Sequence, residues 1–231
     1  MKKKIISLCL VVALGATAVI GGTLAYFTDK DEATNTFTVG NVDIVLDEAE
    51  VERVEDKWVP GNERVQENEY KDIFPGATLP KDPTVHNEGS YGAYVRVKVT
   101  VANGMVLLPL YAENDTLTDD LYDDCFMAMI DNTLGEGWEI TDGITAAEAM
   151  EAVMNGETDT TFEITYKSEL ASKADTTPVF EKIVIGADWD QDDMRLTSIQ
   201  KTGFQVNVVA EAIQADGFAD VTAAFAAYDA E

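Results

Sequence analysis

An acidic stretch in the last third of the chain carries residue types that bind a hard cation. Asp188, Asp190 and Asp192 occupy alternate positions, and carboxylates at positions one, three and five of a loop suit calcium. The sixth position is Asp193 rather than glycine, and no glutamate stands at the twelfth. The spacing therefore favours a solvated acidic loop over an EF-hand, with an irregular calcium site at Asp188, Asp190 and Asp192 as the alternative.

The chain is poor in residues for metal or nucleophilic catalysis. Zinc peptidases of the common kind use two histidines one helical turn apart with a glutamate base, whereas His86 is the only histidine here. Cys125 is the only cysteine beyond residue 25, and we expect it to be a half-buried small apolar residue rather than a reactive thiol. We predict a structural role for His86 and assign no catalytic residue.

Alternating apolar and polar residues predict the strands that must position these groups. Residues 94–101 alternate strictly, with valines on one face and Arg96 and Lys98 on the other, as in a half-buried antiparallel strand. Similar patterns occur at residues 37–46 (with a kink at Gly40-Asn41), 162–166, 179–185 and 204–213. Many short strands separated by turn signals predict an all-β sandwich or barrel.

Other segments depart from this pattern. Thr145-Ala146-Ala147-Glu148 forms a capping box before an apolar run, which predicts a short helix over residues 145–155. Residues 117–130 are a weaker helix candidate. Residues 51–59 are predicted as a strand, and residues 60–70 as an exposed loop.

The N-terminus has the pattern of a secretory signal peptide. Lys2-Lys3-Lys4 precedes an apolar run, and the small residues Thr23 and Ala25 follow it. This order predicts cleavage before Tyr26. Because the 21 residues from Ile5 to Ala25 reach the length that spans a bilayer, an uncleaved membrane anchor is the alternative.

The net charge is strongly negative. The chain has 43 acidic and 16 basic residues, a formal charge of −27. Loss of the three N-terminal lysines leaves 13 basic residues and a charge of −30. This charge excludes nucleic acid and anionic membrane surfaces as partners. It fits cation binding, basic wall polymers or solubility at high concentration.

Three separated blocks resemble the TasA/camelysin family of Gram-positive bacteria. The first is G-G-T-L-A-Y-F-T-D followed by N-T-F-T-V-G-N-V-D-I, at residues 21–44. The second covers residues 73–76, 81–90 and 93–97, and the third covers residues 204–218. The middle, residues 105–173, shows no recognisable motif.

The resemblance implies a jelly-roll-like antiparallel β-sandwich with one or two short inserted helices. Residues 1–25 are then a signal removed by a SipW-type signal peptidase, and residues 26–35 form an N-terminal arm. Residues 36–218 form the sandwich, with a variable insertion at 105–173, and residues 219–231 form a C-terminal tail.

The resemblance also implies a secreted protein of the extracellular or biofilm matrix. Family members polymerise when the N-terminal arm of one subunit adds a strand to the next subunit's sheet, as an open sheet edge permits. Tyr26, Phe27, Thr28 and Asp29 are the expected donor residues. Partners are then further copies, other matrix subunits and the signal peptidase. A camelysin-type metallopeptidase and a cell-surface adhesin or binding module remain the alternatives.

Overall fold

Ten short strands form three antiparallel sheets in a computed structural model, which describes residues 28–30 (backbone only), 42–71, 73–112, 118–189 and 205–230. The strands are β1 Thr28–Lys30, β2 Ile44–Val54, β3 Lys57–Val65, β4 Thr78–Pro80, β5 Thr84–Asn87, β6 Ala93–Val101, β7 Trp138–Asp142, β8 Thr160–Tyr166, β9 Lys182–Val184 and β10 Val206–Gln214. The signal segment and residues 190–204 lie outside the described residues.

The largest sheet has five strands in the order β1-β10-β6-β8-β7. Its central strand β6 pairs with β10 from Val206↔Val101 to Gln214↔Ala93. The valines of β6 are fully buried on one face, which confirms the alternation seen in the sequence. Arg96, on the other face, is also buried, so β6 is covered on both sides here.

The other strands form a three-stranded sheet, in the order β3-β2-β5, and a two-stranded sheet, β4-β9.

The prediction of one strand over residues 51–59 and a loop over 60–70 was wrong: β2 and β3 form a hairpin. Glu55 and Asp56 make its turn with positive φ angles of 47° and 65°, the backbone of a two-residue hairpin loop. Strand β3 contains Pro60 and Gly61, which are tolerated because β3 is an edge strand.

Short helices connect the strands. The α-helices of the described residues are α1 Gly104–Leu107, α2 Leu121–Met129, α3 Ala146–Met154 and α4 Val221–Tyr228, and a 3₁₀ turn spans Leu108–Tyr111. Helix α3 begins at Thr145 with both hydrogen bonds of a capping box, as the sequence predicted. Helix α2 lies within the weaker candidate. The residues predicted as a C-terminal tail contain α4.

One hydrophobic core joins the sheets and the inserted helices. It includes Val85 of β5, Leu79 of β4 and Val97 of β6. Phe126 of α2 stacks on Phe162 of β8, with ring centroids 4.4 Å apart. The fold is therefore an all-β antiparallel sandwich with short helical inserts, which confirms the predicted fold class.

Candidate assembly site

Strand β1, part of the predicted donor arm, lies at the edge of the five-stranded sheet. It runs antiparallel to β10, with Thr28 opposite Ile213, Asp29 opposite Ala212 and Lys30 opposite Glu211. The donor candidates Tyr26 and Phe27 lie outside the described residues. The N-terminal segment therefore continues the sheet by main-chain pairing.

The two sides of β10 differ in the extent of their pairing. Its pairing with β6 covers nine residues, whereas its described pairing with β1 covers three. The N–H of Ala215 donates to the Gly92 carbonyl on the β6 side at 2.9 Å. Because main-chain groups alternate sides along a strand, odd-numbered residues of β10 bond toward β6. Ala212 then directs its N–H and C=O toward β1.

Side chains of β10 also alternate, and both faces are covered. Ala210 and Ala212 are buried in the main core. Ile213, on the opposite face, packs with Ala224 and Phe225 of helix α4 in a second cluster. The strand next to β1 is thus held by β6 at its inner edge and by α4 above.

Arg96 is the centre of the polar contacts under α4. Its Nε donates to Glu211 Oε2 at 2.8 Å, and its two terminal nitrogens donate to the carboxylate of Asp229 at 2.8 and 2.5 Å. The guanidinium carbon lies 4.5 Å from the ring centroid of Phe225. The side chains of Arg96 and Glu211 are only 3% and 4% exposed. We call these four residues the Arg96 cluster.

The carboxylates of the Arg96 cluster stabilise the charged form of Arg96. Burial alone would lower the pKa of Arg96, but hydrogen bonds to Asp229 and Glu211 and the charge of Glu163 outweigh it and raise that pKa. Asp229 lies at the C-terminus of α4, where the helix dipole disfavours an anion. Arg96 therefore links β6, β10 and α4 in one ion-paired unit.

A second polar cluster surrounds His86 on the three-stranded sheet. The Nδ1 of His86 lies 2.7 Å from Asp175 Oδ1, and its Nε2 lies 2.9 Å from Asp47 Oδ1. Arg64 donates from Nε to Asp47 at 2.7 Å and from Nη1 to Asp82 at 2.6 Å. Partial burial lowers the pKa of His86, but the hydrogen bonds and charges of Asp47 and Asp175 prevail and raise it. We call these five residues the His86 cluster.

The His86 cluster does not fit a bound zinc ion. A metal-ligating histidine needs a neutral ring with one nitrogen directed at the metal. Here both ring nitrogens face carboxylates, and the raised pKa of His86 favours the protonated form. Among the described residues, no group of three or more His, Cys, Asp or Glu side chains is arranged to hold a metal ion.

The structure describes only some of the other residues that the sequence suggested for a calcium site or a reactive thiol. Asp188 is exposed, while Asp190 and Asp192 lie outside the described residues. Cys125 is buried in the core, and burial raises the pKa of its thiol to about 11. None of the described helices is long and apolar enough to cross a membrane.

Sequence reasoning missed the roles of Glu211, Phe225 and Asp229. The available signal was Arg96, a cation in the middle of the valine-rich strand β6. A charge at such a position needs buried partners. Those partners are 115 and 133 residues away in the chain, so strand periodicity could not identify them.

The described residues define an antiparallel β-sandwich with an N-terminal edge strand. A sequence model of the camelysin metallo-endopeptidase family matches residues 1–218, and the chain belongs to this family. The match includes residues 105–173, where the sequence offered no motif, and it ends before helix α4. Comparisons with curated proteins and with solved structures gave no match.

Proposed function

We propose that this chain is a secreted structural subunit of the extracellular matrix that assembles into fibres by N-terminal strand exchange. One observation carries the proposal: β1, from the predicted donor arm, is the edge strand of the five-stranded sheet and pairs with β10. A segment that pairs with its own sheet can pair in the same register with another copy.

The energetics favour exchange at this edge. Pairing in cis and in trans uses the same main-chain groups of β10, so exchange loses no hydrogen bonds overall. Three residues of β1 are paired in the described register, so this part of the pairing costs little to release. A head-to-tail contact between copies gives a ring if its rotation closes. If the rotation does not close, the contact produces a filament.

Secretion and cleavage complete the proposal. Cleavage after Ala25 by a signal peptidase of the SipW type frees Tyr26, and the arm with it. An N-terminus held in the membrane could not reach a neighbouring sheet. The protein then acts at the cell surface or in the biofilm matrix, and its partners are further copies or other matrix subunits.

Electron microscopy of the mature chain (residues 26–231) and of residues 36–231 tests the assembly. We expect fibres from the first and none from the second, because the second lacks β1. Circular dichroism spectra should match, which shows that the sandwich persists. Fibres from the shortened chain would end the proposal.

A disulfide trap tests the register. Cysteines replace Asp29 and Ala212, which are opposite each other, and paired strand residues lie within the Cα separation that a disulfide needs. Oxidised fibres of D29C/A212C should give a ladder of covalent multimers on a non-reducing gel, whereas oxidised monomers should give one internally linked band. The control D29C/V208C, four residues out of register, should give neither product.

The metallopeptidase alternative follows from the family's name. It predicts chelator-sensitive proteolysis by the mature chain that His86→Ala abolishes. The carboxylates at both nitrogens of His86 favour a structural histidine instead. We therefore expect His86→Ala to assemble like the parent chain and the parent chain to leave casein intact.

A further inference from the structure

Helix α3 carries an apolar face that the sandwich does not cover. The side chains of Met150, Val153 and Met154 are 61%, 54% and 75% exposed. Residues three and four positions apart are neighbours on a helix surface, so these side chains form one continuous patch. We call it the α3 patch.

The α3 patch is unusual because the helix is otherwise well specified. Its N-terminus has a complete capping box, and its apolar residues recur with the spacing of a core-facing helix. Only Ala149 of this helix is buried. A clustered apolar surface that the chain's own fold leaves in water is typical of an interaction site, and methionine adapts to varied partner shapes.

Carboxylates border the patch on one side. Glu148 and Glu151 occupy the adjacent row of α3 and line an open groove, which also contains Asp142, Glu157 and Asp159. None of the described residues that line this groove is basic. The surface therefore combines exposed methionines with a concentrated negative charge.

We propose that the α3 patch and its acidic groove bind a cationic amphipathic helical segment of a partner protein. The apolar side chains of that segment cover Met150, Val153 and Met154, and its lysines or arginines face the groove. A helix with apolar residues at i, i+3 and i+4 suits such a surface. A second copy of this chain fits poorly, because each mature copy has a charge of −30 and would bring a second acidic surface to the groove.

Binding of a designed peptide tests the proposal. The probe is an 18-residue peptide of leucine and lysine in amphipathic helical order, measured by fluorescence anisotropy against the mature chain. A scrambled peptide of identical composition controls for charge alone. The substitutions Met150→Gln and Met154→Gln remove the apolar surface at exposed positions and retain good helix formers. Val54→Gln removes an apolar side chain that is 49% exposed elsewhere.

We expect the ordered peptide to bind at least about tenfold more tightly than the scrambled one, and M150Q/M154Q to lose about that factor. V54Q should bind like the parent chain. E151Q/E157Q should weaken binding and reduce its salt dependence. Equal affinities of the parent chain and M150Q/M154Q would overturn the proposal. It would also be overturned if sedimentation showed self-association of the parent chain that M150Q/M154Q abolishes, because the occupant would then be a second copy.

Discussion

Arg96 and Arg64 are each ion-paired with more than one carboxylate, yet their surroundings differ. The side chain of Arg96 is 3% exposed and lies over the Phe225 ring, with Glu211 buried beside it. The side chain of Arg64 is 35% exposed, and its partners Asp47 and Asp82 remain partly in water. Arginine–carboxylate ion pairs thus form one buried network and one partly solvated network.

The difference in burial indicates which cluster is more important for the stability of the fold. A buried ion pair adds little net stability as a pair, but removing one partner leaves a buried charge without compensation. A solvated pair can replace its partner with water. The Arg96 cluster therefore holds β10, the strand next to β1, in place. The His86 cluster adds a smaller stabilisation to the three-stranded sheet.

Arginine-to-alanine substitution should give the largest difference in stability between the two clusters. We expect Arg96→Ala to lower the free energy of unfolding by about 3 kcal/mol, because the buried Glu211 then relies on Lys98, 3.4 Å away and 35% exposed, as a cation. Arg64→Ala should lower it by less than about 1 kcal/mol. Urea denaturation measures both values. Similar losses in the two variants would remove the distinction between buried and solvated clusters.

Hydrogen exchange tests whether the Arg96 cluster holds β10 in place without β1. Ala212 directs its N–H toward β1, and Ile213 directs its N–H toward β6. In residues 36–231, we expect the Ala212 amide to exchange at least about tenfold faster than in the mature chain, with Ile213 unchanged. NMR-detected exchange resolves the two neighbouring amides, and Ile213 is the internal control. Equal acceleration at both amides would show that β1 supports the whole of β10. The edge of β10 would then not be ready to accept the arm of another copy.

Local patterns in the sequence predicted the elements that depend on near neighbours. The alternation of residues 94–101 indicated β6 because buried valines recur every second position. Thr145 and Glu148 indicated the start of α3 because a capping box is complete within four residues. The number and spacing of such strands predicted a sandwich or a barrel, and the family resemblance favoured the sandwich.

Features that depend on distant contacts could not be predicted in this way. The burial of Arg96 requires α4, far along the chain. The β2–β3 turn uses Glu55 and Asp56 rather than the Asn-Gly pair that signals a hairpin. Periodicity identified the apolar side of α3, but it could not show that the sandwich leaves Met150 and Met154 in water.

The pH dependence of the His86 cluster should give the smallest effect. The folded state raises the pKa of His86, so the protonated form is favoured in the native protein. Its stabilising contribution is complete below the unfolded value of about 6.5 and is lost as the pH rises through the higher folded value. His86→Gln should therefore be less stable than the parent chain near pH 6 by less than about 1 kcal/mol, since the cluster is partly solvated. The difference should shrink as the pH rises.

Urea denaturation at several pH values measures that difference directly. Lys173→Gln removes one cation of an exposed ion pair with Glu88 and is the control, because lysine does not titrate in this range. A difference between His86→Gln and the parent chain that stays constant from pH 6 to alkaline pH would mean that His86 is neutral in the native state. The carboxylates of Asp47 and Asp175 would then act only as hydrogen-bond partners, and the contrast with Arg96 would be one of charge as well as burial.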